Sequence, residues 1–162
     1  HEGTHGIQAM DLLGRKVLLD GGRALGMLVT RITATAERAQ AVAGPESVVS
    51  VGQRYAADLL AMTSRLVEVS GSVGGGTASD PEGGARVMAE ATAYLEAMGH
   101  LVIAWLWVEQ WLVAREGDDA LHAGKRAAAE YFMTRELPKV AHLLDLVAAH
   151  DGLTTALDPD VL

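Results

Sequence analysis

The stretch that most constrains the fold is LVIAWLWVEQWLV, residues 101–113, because it is apolar on every side of a helix. A helix without a polar face has to be buried in the middle of a bundle or beneath another subunit. Trp105, Trp107 and Trp111 are two and four residues apart, so they cannot all share one face. We therefore expect one of the three to point outwards, and we interpret it as an interface with the rest of a larger protein.

The remaining sequence repeats apolar residues every three or four positions, as amphipathic helices do, and no segment alternates like a strand. Gly44-Pro45 should end one helix, and Asp80 with Pro81 should cap and open another. Pro138 is expected to kink or split the last helix. The sequence thus predicts an all-α fold, an up-down-up-down four-helix bundle with long helices. The predicted helices cover about 6–43, 46–70, 81–116 and 120–150.

Glycine-rich segments are interpreted as loops and helix contacts. GSVGGGTASDPE (71–82) reads as a flexible linker, since its Gly triplet follows no strand and precedes no Lys, as a phosphate-binding loop would. Glycines within the first helix cost about 1 kcal/mol each relative to Ala, and we expect them to allow close helix packing. They are Gly14, Gly21, Gly22 and Gly26.

Composition excludes several classes of function. The 162 residues carry a formal charge of −8 without a basic cluster, which argues against a nucleic-acid partner. The absence of Cys excludes disulfides, Cys-ligated metals and thiol catalysis, and it fits a reducing cytoplasm. The longest apolar run, Leu101 to Val108, is much shorter than the roughly 20 residues of a membrane-spanning helix, so no membrane span is predicted.

The N-terminal stretch HEGTHGIQAMDLLGRK admits two interpretations. His1, Glu2 and His5 spell HExxH, in which two His one helical turn apart bind zinc and the Glu is a general base. The Gly-Thr pair between them is a poor helix former, and no third ligand follows at a convincing spacing. We therefore predict no metal site here.

The same stretch resembles the Glu-Gly-Thr segment of the acyl-CoA dehydrogenases, Y-E-G-T-x-x-I-Q followed by a long helix. AWLWVEQWLVA (104–114) and KRAAAEYFMTRELPKVAHL (125–143) resemble the extra C-terminal domain of the methylmercaptopropionyl-CoA dehydrogenase-like branch. The resemblance implies a C-terminal fragment with three parts. They are 1–43, the catalytic loop and first helix; 44–150, the remaining helices of the C-terminal domain; and 151–162, a tail.

The resemblance also assigns roles to the first residues. Glu2 would be the base that removes the α-proton of an acyl-CoA, and Gly3 would contact its thioester. Thr4, His5 and Gly6 would contact FAD through their backbone. Thr4 is in addition a good N-cap, from which a helix would direct free N–H groups outwards. By resemblance, the partners are an acyl-CoA substrate, electron-transfer flavoprotein and further copies in a homodimer or tetramer.

The alternative is a helical bundle without enzymatic activity, used for oligomerisation or partner binding, because bundles serve many roles. Even on the dehydrogenase interpretation, this chain lacks the β-domain that holds most of the flavin. We therefore expect the isolated chain to be inactive.

Overall fold

The computed structural model describes residues 4–76, 80–153 and 155–157. Within these ranges the regular elements are all helical, so the predicted all-α class is confirmed. In chain order they are α1 (His5–Asp11), a π-helical turn (Leu12–Lys16), a 3₁₀ turn (Leu19–Gly22), α2 (Arg23–Gln40), α3 (Glu46–Gly76), α4 (Pro81–Ala89), α5 (Ala91–Ala114), α6 (Ala120–Tyr131), a second π-helical turn (Phe132–Glu136) and α7 (Lys139–Ala149).

The single long helix predicted over 6–43 is wrong, because the chain breaks between α1 and α2. Asp20, Gly21 and Gly22 have φ angles of 52°, 67° and 81°, all in the left-handed region. Gly enters this region without steric cost, and Asp does so more readily than most residues. The left-handed conformation of the Gly pair therefore interrupts the helix between α1 and α2. A Cβ added at Gly21 would meet nothing within 4 Å, so this residue does not serve close helix packing either.

Two other glycines predicted to allow close helix packing, Gly14 and Gly26, differ in their surroundings. A Cβ at Gly14 would lie 3.2 Å from Sδ of Met88 in α4, which is the close approach expected from the sequence. A Cβ at Gly26 would meet nothing within 4 Å, so the packing interpretation is wrong there.

Helix α3 continues to Gly76, six positions beyond its predicted end at residue 70. Val69 and Val73 are buried on its inner face, and the Ser70 hydroxyl lies 2.6 Å from the Tyr94 hydroxyl of α5. These tertiary contacts hold in helical form a segment whose Gly content alone favours a loop. The rest of the predicted linker is only partly covered, since residues 77–79 lie outside the described ranges.

The third predicted helix begins as expected but is divided in two. The Asp80 side chain accepts a 3.1 Å hydrogen bond from the Glu82 N–H, and Pro81 opens α4. At Glu90 the backbone departs from helical geometry, with φ −93° and ψ 8°, and α5 begins at Ala91. The prediction of a single helix over 81–116 is therefore wrong.

The last predicted helix is split near Pro138, as expected. Pro138 has no N–H to donate, and the turn before it is π-helical, with the Leu137 N–H donating to the Phe132 carbonyl at 3.0 Å. At the other end, the Asp119 side chain accepts a 2.9 Å hydrogen bond from the His122 N–H and caps α6.

Helix α5 lies at the centre of the fold, packed against α1, α2, α3, α6 and α7. Trp111 is buried, whereas Trp105 and Trp107 are partly buried along its two flanks. The predicted outward Trp is therefore wrong. Aliphatic side chains occupy the outer face instead, because residues at three- and four-residue spacing from 103 to 113 share it. They are Ile103, Leu106 and Val113.

Helix α5 is also the one helix among the described residues that is long and apolar enough, by length and composition, to cross a membrane. One such helix is weak support for a membrane span, because the core helix of a helical bundle has the same composition. The contacts of α5 with the helices around it are those of a core helix.

Candidate functional site

The predicted site lies at the start of α1, and the structure describes part of it. Glu2 and Gly3 lie outside the described residues. Thr4, His5 and Gly6 are exposed, and α1 begins at His5. Thr4 therefore occupies the predicted N-cap position, but its side chain makes no capping hydrogen bond to α1, and its φ and ψ of −96° and −8° are helical. The prediction of a side-chain N-cap is wrong, and the predicted helix start is confirmed.

Helix α1 is fixed to the bundle by one apolar face. Ala9, Leu13 and Val17 are buried, following the four-residue spacing of a helix. Ile7 and Met10, on the other side, are exposed. The buried face holds the first turn of α1 at the edge of the bundle, where its backbone is open to solvent.

The charges of this segment pair with one another. Asp11 accepts from Arg15 Nε at 2.6 Å and lies 2.9 Å from Lys16 Nζ. Its hydrogen bond with Arg15, followed by that with Lys16, lowers the pKa of Asp11 to about 2. The Arg15 and Lys16 side chains are exposed, whereas the Asp11 side chain is partly buried.

A polar cluster that the sequence did not predict joins α2 to α5. The indole Nε1 of Trp105 donates to Thr35 Oγ1 at 2.7 Å, and Thr35 donates in turn to the Glu109 carboxylate. Arg38 forms an ion pair with the same carboxylate. Burial raises the pKa of Glu109, but its hydrogen bonds with Arg38 and Thr35 outweigh burial, and the pKa is lowered overall.

A second polar cluster joins α3 to α6 beside an open cleft of about 440 Å³. The hydroxyl of the buried Tyr55 donates to Glu130 Oε2 at 2.7 Å, and Arg54 donates to the same oxygen at 2.6 Å. The Tyr55 ring meets Trp111 edge-on at a centroid distance of 5.3 Å. Burial raises the pKa of Tyr55, so this hydroxyl stays protonated and acts as a donor. This cluster therefore stabilises the packing of α3 against α6, and its polar groups hydrogen-bond to one another.

No group of three or more His, Asp or Glu side chains suited to a metal ion occurs among the described residues. His1 and Glu2 of the HExxH pattern lie outside them. The described geometry therefore offers no ligand set around His5.

Comparison with known proteins identifies the family. Residues 28–158 match the family model described as acetyl-CoA dehydrogenase C-terminal like. The chain belongs to this family. It is also 33% identical, over 164 aligned positions, to 3-methylmercaptopropionyl-CoA dehydrogenase from Ruegeria pomeroyi. That alignment covers 98% of this chain and 25% of the relative, so the chain spans about a quarter of the relative's length.

The family match confirms the resemblance to the acyl-CoA dehydrogenases and their extra C-terminal domain. The matched range begins at residue 28, inside α2 and after the left-handed break at Asp20–Gly22. Helix α1 and the Glu-Gly-Thr segment precede the part shared with this family of domains. The roles of Glu2, Gly3, Thr4, His5 and Gly6 remain predictions.

Proposed function

We propose that this chain forms the C-terminal portion of a flavin-dependent acyl-CoA dehydrogenase. The observation that supports this most is the joint occurrence of a family-matched helical domain at 28–158 and a Glu-Gly-Thr segment directly before α1. Such an enzyme introduces a double bond between the α- and β-carbons of an acyl thioester.

In this proposal Glu2 is the base. Its carboxylate takes the α-proton, the electron pair of that C–H bond forms the new double bond, and hydride leaves the β-carbon. FAD, when bound, would accept the hydride. A carboxylate in water is too weak for this proton, so Glu2 has to be desolvated by the bound substrate.

The residues after Glu2 fit one edge of a cofactor site. Gly3, which lacks a Cβ, would let the thioester approach the backbone. His5 and Gly6 are exposed on the first turn of α1, and a Cβ at Gly6 would meet nothing within 4 Å, so this backbone is open to a flat ligand. Together with Thr4 they would supply one wall, and the remaining walls would come from outside this chain.

Two features of the whole protein belong to the same proposal. Because the described residues supply only that edge, we expect the isolated chain to bind neither FAD nor acyl-CoA usefully and to be inactive. The complete enzyme would be a cytoplasmic homo-oligomer that passes electrons to electron-transfer flavoprotein.

For the fold, we propose the up-down-up-down bundle of α2, α3, α5 and α6–α7. Contacts at both ends of the α3–α5 pair support antiparallel neighbours. Tyr55 meets Trp111 at one end, and Ser70 meets Tyr94 at the other. Between α5 and the last helix, Gln110 pairs with Lys125 and His100 with Glu136, which supports the same direction change.

The test uses the complete enzyme with Glu2→Gln. Acyl-CoAs are added without oxygen while the visible absorption band of oxidised flavin is followed. We expect bleaching in the wild type and in the control variant Glu37→Gln, whose exposed carboxylate lies on α2. We expect none in Glu2→Gln, with FAD still bound. A colourless wild-type protein, or equal bleaching without the Glu2 carboxylate, would refute the assignment.

The second candidate is a helical module without enzymatic activity, used for oligomerisation or partner binding. The observation that favours it is the exposed apolar face of α5. A complete protein that binds no flavin but still associates through this face would support this candidate over the dehydrogenase.

A further inference from the structure

Arg115, directly after α5, has a buried Nε without a hydrogen-bond partner, which sets it apart from the other buried polar side-chain atoms of the described residues. A guanidinium has five N–H donors, and the contacts of Arg115 use one of them, from Nη2 to the Glu116 carboxylate at 2.8 Å. Buried donors in folded proteins are normally paired, because an unpaired one has lost its water without gaining an acceptor. Arg115 therefore lacks an acceptor.

Glu116 does not fill this role. It is the next residue in the chain, and its side chain is 70% exposed, whereas that of Arg115 is 26% exposed. An exposed ion pair of this kind contributes little, because water and salt screen both charges. A carboxylate that reaches the buried side of Arg115 would therefore replace Glu116 at small cost.

Arg126 of α6 lines the same cleft between α3, α5 and α6 as Arg115 does. Its Nη1 donates to the carbonyl oxygens of Ala114 and Gly117 at 2.5 and 2.6 Å. These bonds hold the guanidinium at the end of α5, but both acceptors are formally neutral. Within the part of the chain that the structure describes, no carboxylate pairs with Arg126. The cleft thus has a second, fixed positive charge.

Two carboxylates also line the cleft, and neither cancels this charge from within. Glu130 is already paired, since it accepts from Arg54 and from the Tyr55 hydroxyl. Asp118 is exposed to solvent, where its charge is screened. The guanidinium groups of the partly buried Arg115 and Arg126 therefore dominate the interior of the cleft.

The rest of the lining is largely apolar. Val48 and Val51 come from α3, and the Trp111 ring comes from α5. The cleft has a volume of about 440 Å³, which lies in the range of small-molecule sites. Such sites combine apolar walls with a few polar groups that fix the orientation of the ligand. The planar fork of an Arg side chain matches a carboxylate, which it binds through two parallel hydrogen bonds.

We propose that this cleft binds a small organic acid, that is, a carboxylate on a compact aromatic or aliphatic body. Arg115 holds the carboxylate, which supplies the acceptor that Nε lacks, and Arg126 provides the second positive charge. The apolar body packs against Val48, Val51 and Trp111. This inference rests on α3, α5 and α6 and is independent of Glu2, so it holds whether or not the chain is part of a dehydrogenase.

The test titrates 4-fluorobenzoate into the complete protein and follows the fluorine NMR signal of the ligand. For a ligand of this size we expect a dissociation constant of about 1 mM. The matched ligand is 4-fluorobenzyl alcohol, which keeps the ring and lacks the charge, and it should bind roughly tenfold more weakly. Equal binding of acid and alcohol would refute the proposal. So would absence of acid binding to the complete protein, which is the result expected if another part of the polypeptide fills the cleft.

Variants locate the binding. Arg115→Gln should weaken binding of 4-fluorobenzoate about tenfold, and Arg115→Lys should lie between it and the wild type, because Lys keeps the charge but not the fork. The control is Arg31→Gln, which makes the same charge change at an exposed position of α2 and should leave binding unchanged. Circular dichroism should show equal helicity for all variants. Wild-type affinity in Arg115→Gln, or an equal loss in Arg31→Gln, would overturn the assignment.

Discussion

The Tyr55 hydroxyl donates a 2.7 Å hydrogen bond to Glu130 and so links α3 to α6, two helices whose residues here are 75 positions apart in sequence. Both residues of this hydrogen bond also contact other side chains. Tyr55 packs edge-on against Trp111, and Glu130 also accepts from Arg54 and Thr134. The hydrogen bond is thus one part of a cluster that fixes the relative position of the two helices.

We predict that Tyr55→Phe lowers the free energy of unfolding by about 1 kcal/mol, because it removes one hydrogen bond to a charged but half-exposed carboxylate and keeps the ring in place. Urea titration with a fluorescence readout measures this. Tyr131→Phe, at the exposed neighbouring position of Glu130, serves as the control and should be nearly neutral. Equal losses in the two variants would contradict a specific role for the Tyr55 hydroxyl.

The same cluster predicts a dependence of stability on pH. The hydrogen bond from Tyr55, followed by that from Arg54, outweighs burial and lowers the pKa of Glu130 below its usual value of 4.5 in the folded state. The unfolded chain therefore binds more protons just below pH 4.5, and the contribution of Glu130 is lost as the pH falls through its folded pKa. Urea titrations at a series of acidic pH values should show a shallower loss for Glu130→Gln than for the wild type. Parallel curves would contradict the assignment.

Gly52 of α3 allows the close approach of α2. A Cβ at this position would lie 2.3 Å from the Ala39 carbonyl oxygen and 3.2 Å from Trp111 Cη2. We predict that Gly52→Ala destabilises the protein by about 3 kcal/mol, since a backbone oxygen cannot move aside.

Gly71, in the same helix, provides the matched control. Nothing lies within 4 Å of a Cβ there, and the position is exposed. Gly71→Ala should therefore stabilise the protein by about 0.5–1 kcal/mol through helix propensity. Thermal unfolding followed by circular dichroism compares the two, and shifts of the melting temperature in the same direction would contradict this packing.

The break between α1 and α2 yields a fourth prediction. Gly21 has a φ of 67°, where an L-residue with a Cβ is disfavoured by about 1–2 kcal/mol. Gly21→Ala should therefore lower stability by about that amount, although nothing crowds the position. Gly26→Ala, five residues later within α2, should have the opposite sign. A stabilising Gly21→Ala would indicate that the chain runs through this point as a continuous helix.

The sequence predicted the features that depend on local chemistry. The cap at Asp80 and the split at Pro138 were confirmed, because each depends on one or two residues and their neighbours. The all-apolar stretch 101–113 indicated a helix in the middle of the bundle or beneath another subunit, and α5 lies at the centre of the fold. The break at Asp20–Gly22 was missed because its Gly pair was assigned to helix packing, a role that short-range sequence does not distinguish from a left-handed turn.

Features that depend on distant contacts could not be predicted in the same way. The extension of α3 to Gly76 relies on Ser70 meeting Tyr94 and on burial of Val73. The cluster of Thr35 and Glu109 joins residues 74 positions apart, and no spacing indicates it. In the candidate site, only the exposed start of α1 followed from the sequence, and Glu2 itself lies outside the described residues.

The π-helical turn at Phe132–Glu136 has a consequence for comparing this chain with other proteins. Such a turn holds one residue more than an α-helical turn, and everything after it is rotated by about 100° relative to an uninterrupted α-helix. A relative with a plain helix here would need one residue fewer to bury the same face of α7, which includes Val140, Leu144 and Val147. A single-residue gap between positions 132 and 136 of a sequence alignment would therefore mark a change of helix geometry that leaves the buried surface the same.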